Sequence, residues 1–202
     1  MIFTARKNLK LDVSNRQIEI LVGCLLGDAY LTKLGKIQIE QSAKQKEYID
    51  WKYQELASIS YSQPKEVIRF ERNDNRETKS FRFWTRQYFR SWRNSFYQGN
   101  RKVFPKDLIK WITPLTVAVW YMDDGCYQKF DCTLSTESFD FESREQLISK
   151  LESFGIEAIP RGKGKLRVKS KSLTKFFELI NPYIHSSMRY KINLSSKDDK
   201  TP

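Results

Sequence analysis

Two apolar helical segments that each end on an aspartate recur 96 residues apart in a chain of 202. The first runs Leu21–Asp28 (LVGCLLGD) and the second Val117–Asp124 (VAVWYMDD), with Gly125 behind it. An acid at a helix C-terminus faces the negative end of the macrodipole, so each placement is unfavourable on its own. Singly, each acid reads as a turn residue, because Gly-Asp and Asp-Gly pairs are common in turns. A matched pair says more. If the two helices pack side by side, Gly23 and Gly27 let the backbones approach closely, and Asp28 meets Asp124 at one end of the pair. Two carboxylates so placed repel each other unless a hard divalent cation balances them. Mg2+ (or Mn2+) suits such sparse protein ligation, completed by water and phosphate oxygens.

The elements around these helices repeat as well. Ser14 to Gln17 reads as a capping box, followed by Ile18, Leu21, Val22, Leu25 and Leu26 at helical spacing. A strand is predicted over 36–41, a helix over 45–59, a hairpin over 66–71 and 79–85, a helix over 86–97, and a loop over 99–105. Thr113 as N-cap and Pro114 as first helical residue then restart the order. A strand over 128–135, a helix over 142–154, a hairpin over 156–161 and 165–171, and a helix over 173–183 follow. The fold class is therefore α+β. It comprises two pseudo-symmetric αβαββα-like repeats, residues 1–100 and 101–202, meeting at a central two-helix interface.

Both repeats are basic. The net charge of +12 divides into +7 and +5, so it is not one detachable tail. A folded, evenly basic protein suits a long polyanion, because each neutralised phosphate releases condensed counterion; the same charge also serves plain solubility. In 165–171, Lys165, Arg167, Lys169 and Lys171 alternate with Leu166 and Val168, placing four cations on one face of a strand. Arg69, Arg72 and Arg82 form a weaker counterpart. A solvated edge strand guarded by lysines has the same pattern. No apolar run approaches the roughly 20 residues of a membrane span, and no signal peptide is expected. Cys24, Cys126 and Cys132 form no CxxC pair, which argues against a zinc ribbon and fits a reducing compartment. His185 is the only histidine, expected in a structural or phosphate-contacting role, and the five tryptophans are expected in the core.

Leu21–Tyr30 and Val117–Gly125 resemble the two motif copies of the LAGLIDADG family of single-chain homing endonucleases. The stretches 134–139, 177–184 and 188–192 resemble its intron-encoded branch. The likeness spans nearly the whole chain. Ala29 replaces the final glycine of the first copy, and Val119 the first glycine of the second, so the helix interface must be asymmetric.

The resemblance implies metal ligation by Asp28 and Asp124, with the backbone of Ala29 and Asp123 as further candidates. It implies catalytic lysines at Lys102 and Lys191, and antiparallel sheets that form a DNA-binding saddle. Gln38, Glu40, Arg69, Arg72, Arg82, Ser135, Lys165, Arg167, Lys169 and Lys171 are the candidate DNA contacts, Glu40 and Ser135 also as supports of the site. The implied activity is cleavage of both strands of a long asymmetric duplex site by a monomer, leaving 3′ overhangs. An RNA maturase that helps a group I intron splice stands as the alternative, with intron RNA as a further partner, and a non-catalytic DNA-binding regulator as a second rival. Residue types with AT-rich codons outnumber those with GC-rich codons 72 to 34, which fits an organellar genome, in mitochondrion or chloroplast.

Overall fold

Helix α1 (Asn15–Leu26) starts where the capping box places it: the Ser14 side chain accepts from the Gln17 amide, and the Ser14 amide donates to the Gln17 side chain, both at 3.2 Å. Helix α4 (Pro114–Asp124) starts the same way, with Thr113 Oγ1 accepting from the Thr116 amide. Both helices are buried on nearly every face, as expected of helices at the centre of a molecule. The computed structural model describes residues 1–4, 10–70, 76–99, 101–128 and 131–192.

After a short N-terminal hairpin, β1 (Ile2–Thr4) with β2 (Lys10–Asp12), the first half carries β3 (Tyr30–Leu31), β4 (Ile37–Ser42), α2 (Lys46–Leu56), β5 (Lys65–Phe70), β6 (Glu77–Trp84) and α3 (Arg90–Phe96). The strand pair β7 (Tyr97–Gln98) and β8 (Arg101–Lys102) leads to α4. The second half continues with β9 (Gly125–Gln128), β10 (Asp131–Leu134), α5 (Phe141–Ser153), β11 (Ala158–Arg161), β12 (Lys165–Val168) and α6 (Leu173–Ile180). The two four-stranded sheets are antiparallel, ordered β3-β4-β6-β5 and β9-β10-β12-β11, so they share one topology. Each four-stranded sheet holds one strand more than its sequence pattern predicts, and the short pairs β1–β2 and β7–β8 are further additions. β3 and β9 begin directly after the acid-bearing turns, too short for a period of two to register.

Alternation decides which face of each sheet is covered. Ile37, Ile39 and Phe83 turn inward beneath α2, while Gln38, Glu40 and Arg82 turn outward. In the second sheet Cys132, Leu134, Leu166 and Val168 are buried, and Asp131, Lys165 and Arg167 face out. A single hydrophobic core runs through both halves.

The interface between α1 and α4 is built on glycine. A Cβ on Gly23 would lie 2.7 Å from Val119 Cβ and 2.8 Å from the Thr116 carbonyl oxygen, and one on Gly27 would lie 2.5 Å from Asp123 Cβ. Val119 and Asp123 therefore occupy the space that the absent side chains leave, which is the asymmetry the motif departures imply. Gly23→Ala should cost about 1–3 kcal/mol through overpacking, read as a shift in urea midpoint. Val119→Ala in the same chain should recover only the share due to Val119 Cγ1 at 2.9 Å, since Val119 Cβ and the Thr116 carbonyl oxygen still crowd the new methyl. A Gly23→Ala chain as stable as the unsubstituted one would mean that the two helices do not meet at this point.

Candidate active site and recognition face

Asp28 follows α1 by two residues, and Asp124 is the last residue of α4. Each helix end is met by a lysine. Lys102 Nζ donates to the Leu25 carbonyl at 2.6 Å; Lys191 Nζ donates to the carbonyls of Met122 at 2.6 Å, Gly125 at 3.2 Å and Asp123 at 3.3 Å. These are the carbonyls that a helix leaves without partners, at its negative end. The two lysines thus occupy corresponding places in the two halves, although Lys102 comes from β8 and Lys191 from a 3-10 turn, Ser186–Lys191, near the C-terminus. Burial pulls the Lys102 ammonium down to about 8 and lowers Lys191 too.

The acids carry the opposite perturbation. Asp28 opens to solvent at the surface, but the protein crowded around it, together with repulsion from Asp123 and Asp124, pushes its carboxyl up to about 6. Burial raises Asp124 as well, opposed by a hydrogen bond from the Ser135 side chain. The Ser135 amide donates to the Asp124 carbonyl at 3.3 Å, so Ser135 lies beside the acid.

Asp123 is the third carboxylate. It crosses from α4 onto Gly27 and ends in the first half, where its Oδ1 accepts from Lys52 Nζ at 2.5 Å and Tyr48 hydroxyl at 2.8 Å, with Gln41 Nε2 at 3.4 Å. Lys52 is wholly buried on α2; burial works against its charge, and Asp123 overcomes that and raises its pKa. Gln41 Nε2 also lies 3.5 Å from Asp28 Oδ2, joining this pair to the acid. Asp123 Oδ2 is buried with no hydrogen-bond partner, and the Asp123 carbonyl already accepts from Lys191. No group of three or more His, Cys, Asp or Glu forms a ready cage among the described residues. What the site holds is a pair of hard oxygen donors with excess negative charge, and that fits a divalent ion that keeps several of its waters.

Gln41, Lys52 and Tyr48 were not foreseen as site residues. Gln41 continues the inward register of Ile37 and Ile39, and Lys52 lies on the apolar face of α2 with Tyr48, Ile49 and Leu56. A polar residue in an apolar register was the readable signal in both cases.

Each sheet face carries an acid held between two arginines. Glu40 accepts from Arg69 at 2.6 Å, Ser80 at 2.6 Å, Arg82 at 2.7 Å and Gln38 at 3.1 Å. Partial burial pushes Glu40 up, but the bonds from Arg69, Ser80 and Arg82 prevail and hold it at about 2. In the second sheet Asp131 pairs with Arg161 and, at 3.1 Å, with Arg167. Gln38, Glu40, Arg69, Arg82, Lys165 and Arg167 thus share outward faces. Lys169 and Lys171 do not continue the row. β12 stops at Val168, Ser170–Ser172 forms a 3-10 turn, and both lysines pair with Glu157. Arg72 lies outside the described residues. Of the tryptophans, Trp92 and Trp120 are core, whereas Trp84 lies half-buried on the polar face. The His185 ring lies tilted beside Tyr48 and Trp51, with its Nδ1 2.8 Å from Ser187 Oγ.

Asp28 binds its proton more readily in the folded chain than in the unfolded one, whose value is about 4. Its contribution is therefore full below about 4 and lost as the pH rises through about 6. In chelator, Asp28→Asn should melt above the unsubstituted protein at about pH 7 and converge with it near pH 4. A difference in Tm that does not change with pH would remove the electrostatic account.

The model of the LAGLIDADG DNA endonuclease family matches residues 18–176. The cytochrome b mRNA maturase bI2 of Debaryomyces hansenii is 28% identical over 200 residues, covering 92% of this chain and 76% of that protein. The probable intron-encoded endonuclease 1 of Wickerhamomyces canadensis is 28% identical over 200 residues, covering 89% of this chain and 85% of its own. Among solved structures, the homing endonuclease I-WcaI bound to its DNA recognition sequence superimposes with a TM-score of 0.79 at 26% identity, over 90% of this chain and 88% of that one.

Proposed function

The chain belongs to the LAGLIDADG DNA endonuclease family, and from this we propose that it is a monomeric, divalent-metal-dependent endonuclease that cuts both strands of duplex DNA at one long asymmetric site. One observation carries the reading: two acids at adjoining helix ends, each with a part-buried lysine on the same helix terminus, between two sheets whose outward faces bear arginine. Residues 1–100 and 101–202 would each engage one half of the target. Their different side chains suit a site without a palindrome.

Asp28 and Asp124 would hold the ion, Mg2+ or Mn2+, with the Ala29 and Asp123 carbonyls next in the chain. Bound there, a divalent ion polarises the scissile phosphate and lowers the pKa of attacking water. Lys102 and Lys191 contribute fixed positive charge where negative charge gathers on the phosphate, one for each strand. Gln41 orients the Asp28 carboxylate through its amide. On the sheets, Arg69, Arg82, Arg167 and Lys165 suit guanine and Gln38 suits adenine. Lys169 and Lys171, past the strand end, suit phosphate, which sets position and not sequence.

A second reading comes from the Debaryomyces relative, whose name is that of an mRNA maturase. It would have this chain also bind its intron RNA, in an organellar setting. Intact Asp28 and Asp124 favour cleavage as the main activity. Selection of cut sites from a randomised duplex library with Mg2+, followed by sequencing of both ends, should return one asymmetric site. Asp28→Asn and Asp124→Asn should each abolish cutting and keep binding, and chelator should do the same. Undiminished cutting by either variant would end the assignment of that acid to the metal, and no Mg2+-dependent cut site for the unsubstituted chain would end the nuclease reading.

A further inference from the structure

The polar face of the first sheet ends, at the strand ends remote from Asp28, in a cavity of about 590 Å3 that the cleavage chemistry does not use. The register places it. Gln41 of β4 lies at Asp28, Gln38 pairs with Trp84, and Lys36 precedes the strand. Tyr61 and Trp84 form its aromatic walls, Lys36, Lys65 and Arg82 supply three cations, and Glu66 is its one acid. Trp84 is outward because Phe81 and Phe83 take the inward positions of β6. The Tyr61 amide donates to the Trp84 carbonyl at 2.8 Å, so the two aromatic residues are fixed side by side. Tyr61 is 76% exposed, so its ring is open to a ligand from solvent. Lys36 Nζ sits 5.6 Å from the Tyr61 ring centroid, and the Arg82 guanidinium 5.9 Å from that of Trp84.

A stacked duplex shows a protein only the edges of its bases; the ring faces become available when a base leaves the stack. Aromatic walls beside flexible cations are what single-stranded nucleic acid uses, ring against ring and phosphate against ammonium. We propose that this cavity binds an unstacked nucleobase of a single-stranded nucleic acid, with Trp84 and Tyr61 stacking on the base and Lys36 and Lys65 meeting its phosphate. The inference rests on the nucleic-acid reading of this surface and not on the cutting chemistry. An RNA transcript and a displaced DNA strand both offer such a base.

The test is fluorescence anisotropy of the full chain with short unstructured RNA and DNA strands of one sequence, alongside cleavage of a selected duplex. The unsubstituted protein should bind single strands, RNA more tightly if a transcript is the source and DNA at least as tightly if a displaced strand is. Trp84→Ala and Tyr61→Ala should each weaken single-strand binding by about five- to a hundredfold, with the salt dependence and duplex cleavage unchanged. Lys36→Gln should reduce the salt slope by about 0.7. The proposal is overturned if the unsubstituted chain does not bind single strands, if the aromatic variants bind them normally, or if they lose duplex and single-strand affinity in step. Asp28→Asn should bind single strands normally while cutting nothing. If it still cuts, the assignment of Asp28 to the metal falls and the cavity's role stands.

Discussion

The close approach of α1 and α4 is the constraint on which the molecule depends. Gly23 and Gly27 remove the side chains that would hold the helices apart, and only then do the ends of both helices meet. Everything of chemical interest lies at that junction. The two sheets extend from it, since β3 and β9 start within a few residues of the acids. Helix packing thus sets the spacing between the acids and, in the same step, the relation of the two outward faces.

Charge balance at the junction has an instructive form. Three lysines, Lys52, Lys102 and Lys191, stand among three carboxylates, yet they do not simply neutralise them. Lys102 and Lys191 give their hydrogen bonds to helix carbonyls, and Lys52 gives its own to Asp123. Among the described residues, neither Asp28 nor Asp124 is in an ion pair. Folding has therefore paired the helix-end carbonyls and one oxygen of the buried acid, while Asp28 and Asp124 are left crowded by protein and by like charge, the state in which a hard cation gains most.

Much of this was legible from the chain. Helical spacing located α1 and α4, their capping residues located the starts, and the 96-residue repeat paired the acids. The lysines were legible only through family resemblance, because Lys102 falls in a segment that reads as loop and Lys191 in one with no periodicity. The extension of β12 through Lys171 failed for a local reason: Ser170 and Ser172 favour a turn, and a run of alternating lysines cannot report where hydrogen bonding to β10 and β11 stops. Trp84 was assigned to the core on hydrophobicity, while register puts it outside. Gln41 and Lys52 were hidden by the habit of reading the apolar positions of a strand or helix as its only message.

The reach of Asp123 across the interface makes the two halves non-interchangeable. A chain assembled from two copies of the first half would bury Lys52 twice with no acid to meet it. Two copies of the second would set Val119 against Val119 and two aspartates where one glycine is needed. Grafting either half onto a relative, as one would to build a hybrid with a new target, therefore requires moving Gln41, Tyr48 and Lys52 as a unit with the socket at Gly27, or replacing Asp123 on the other side.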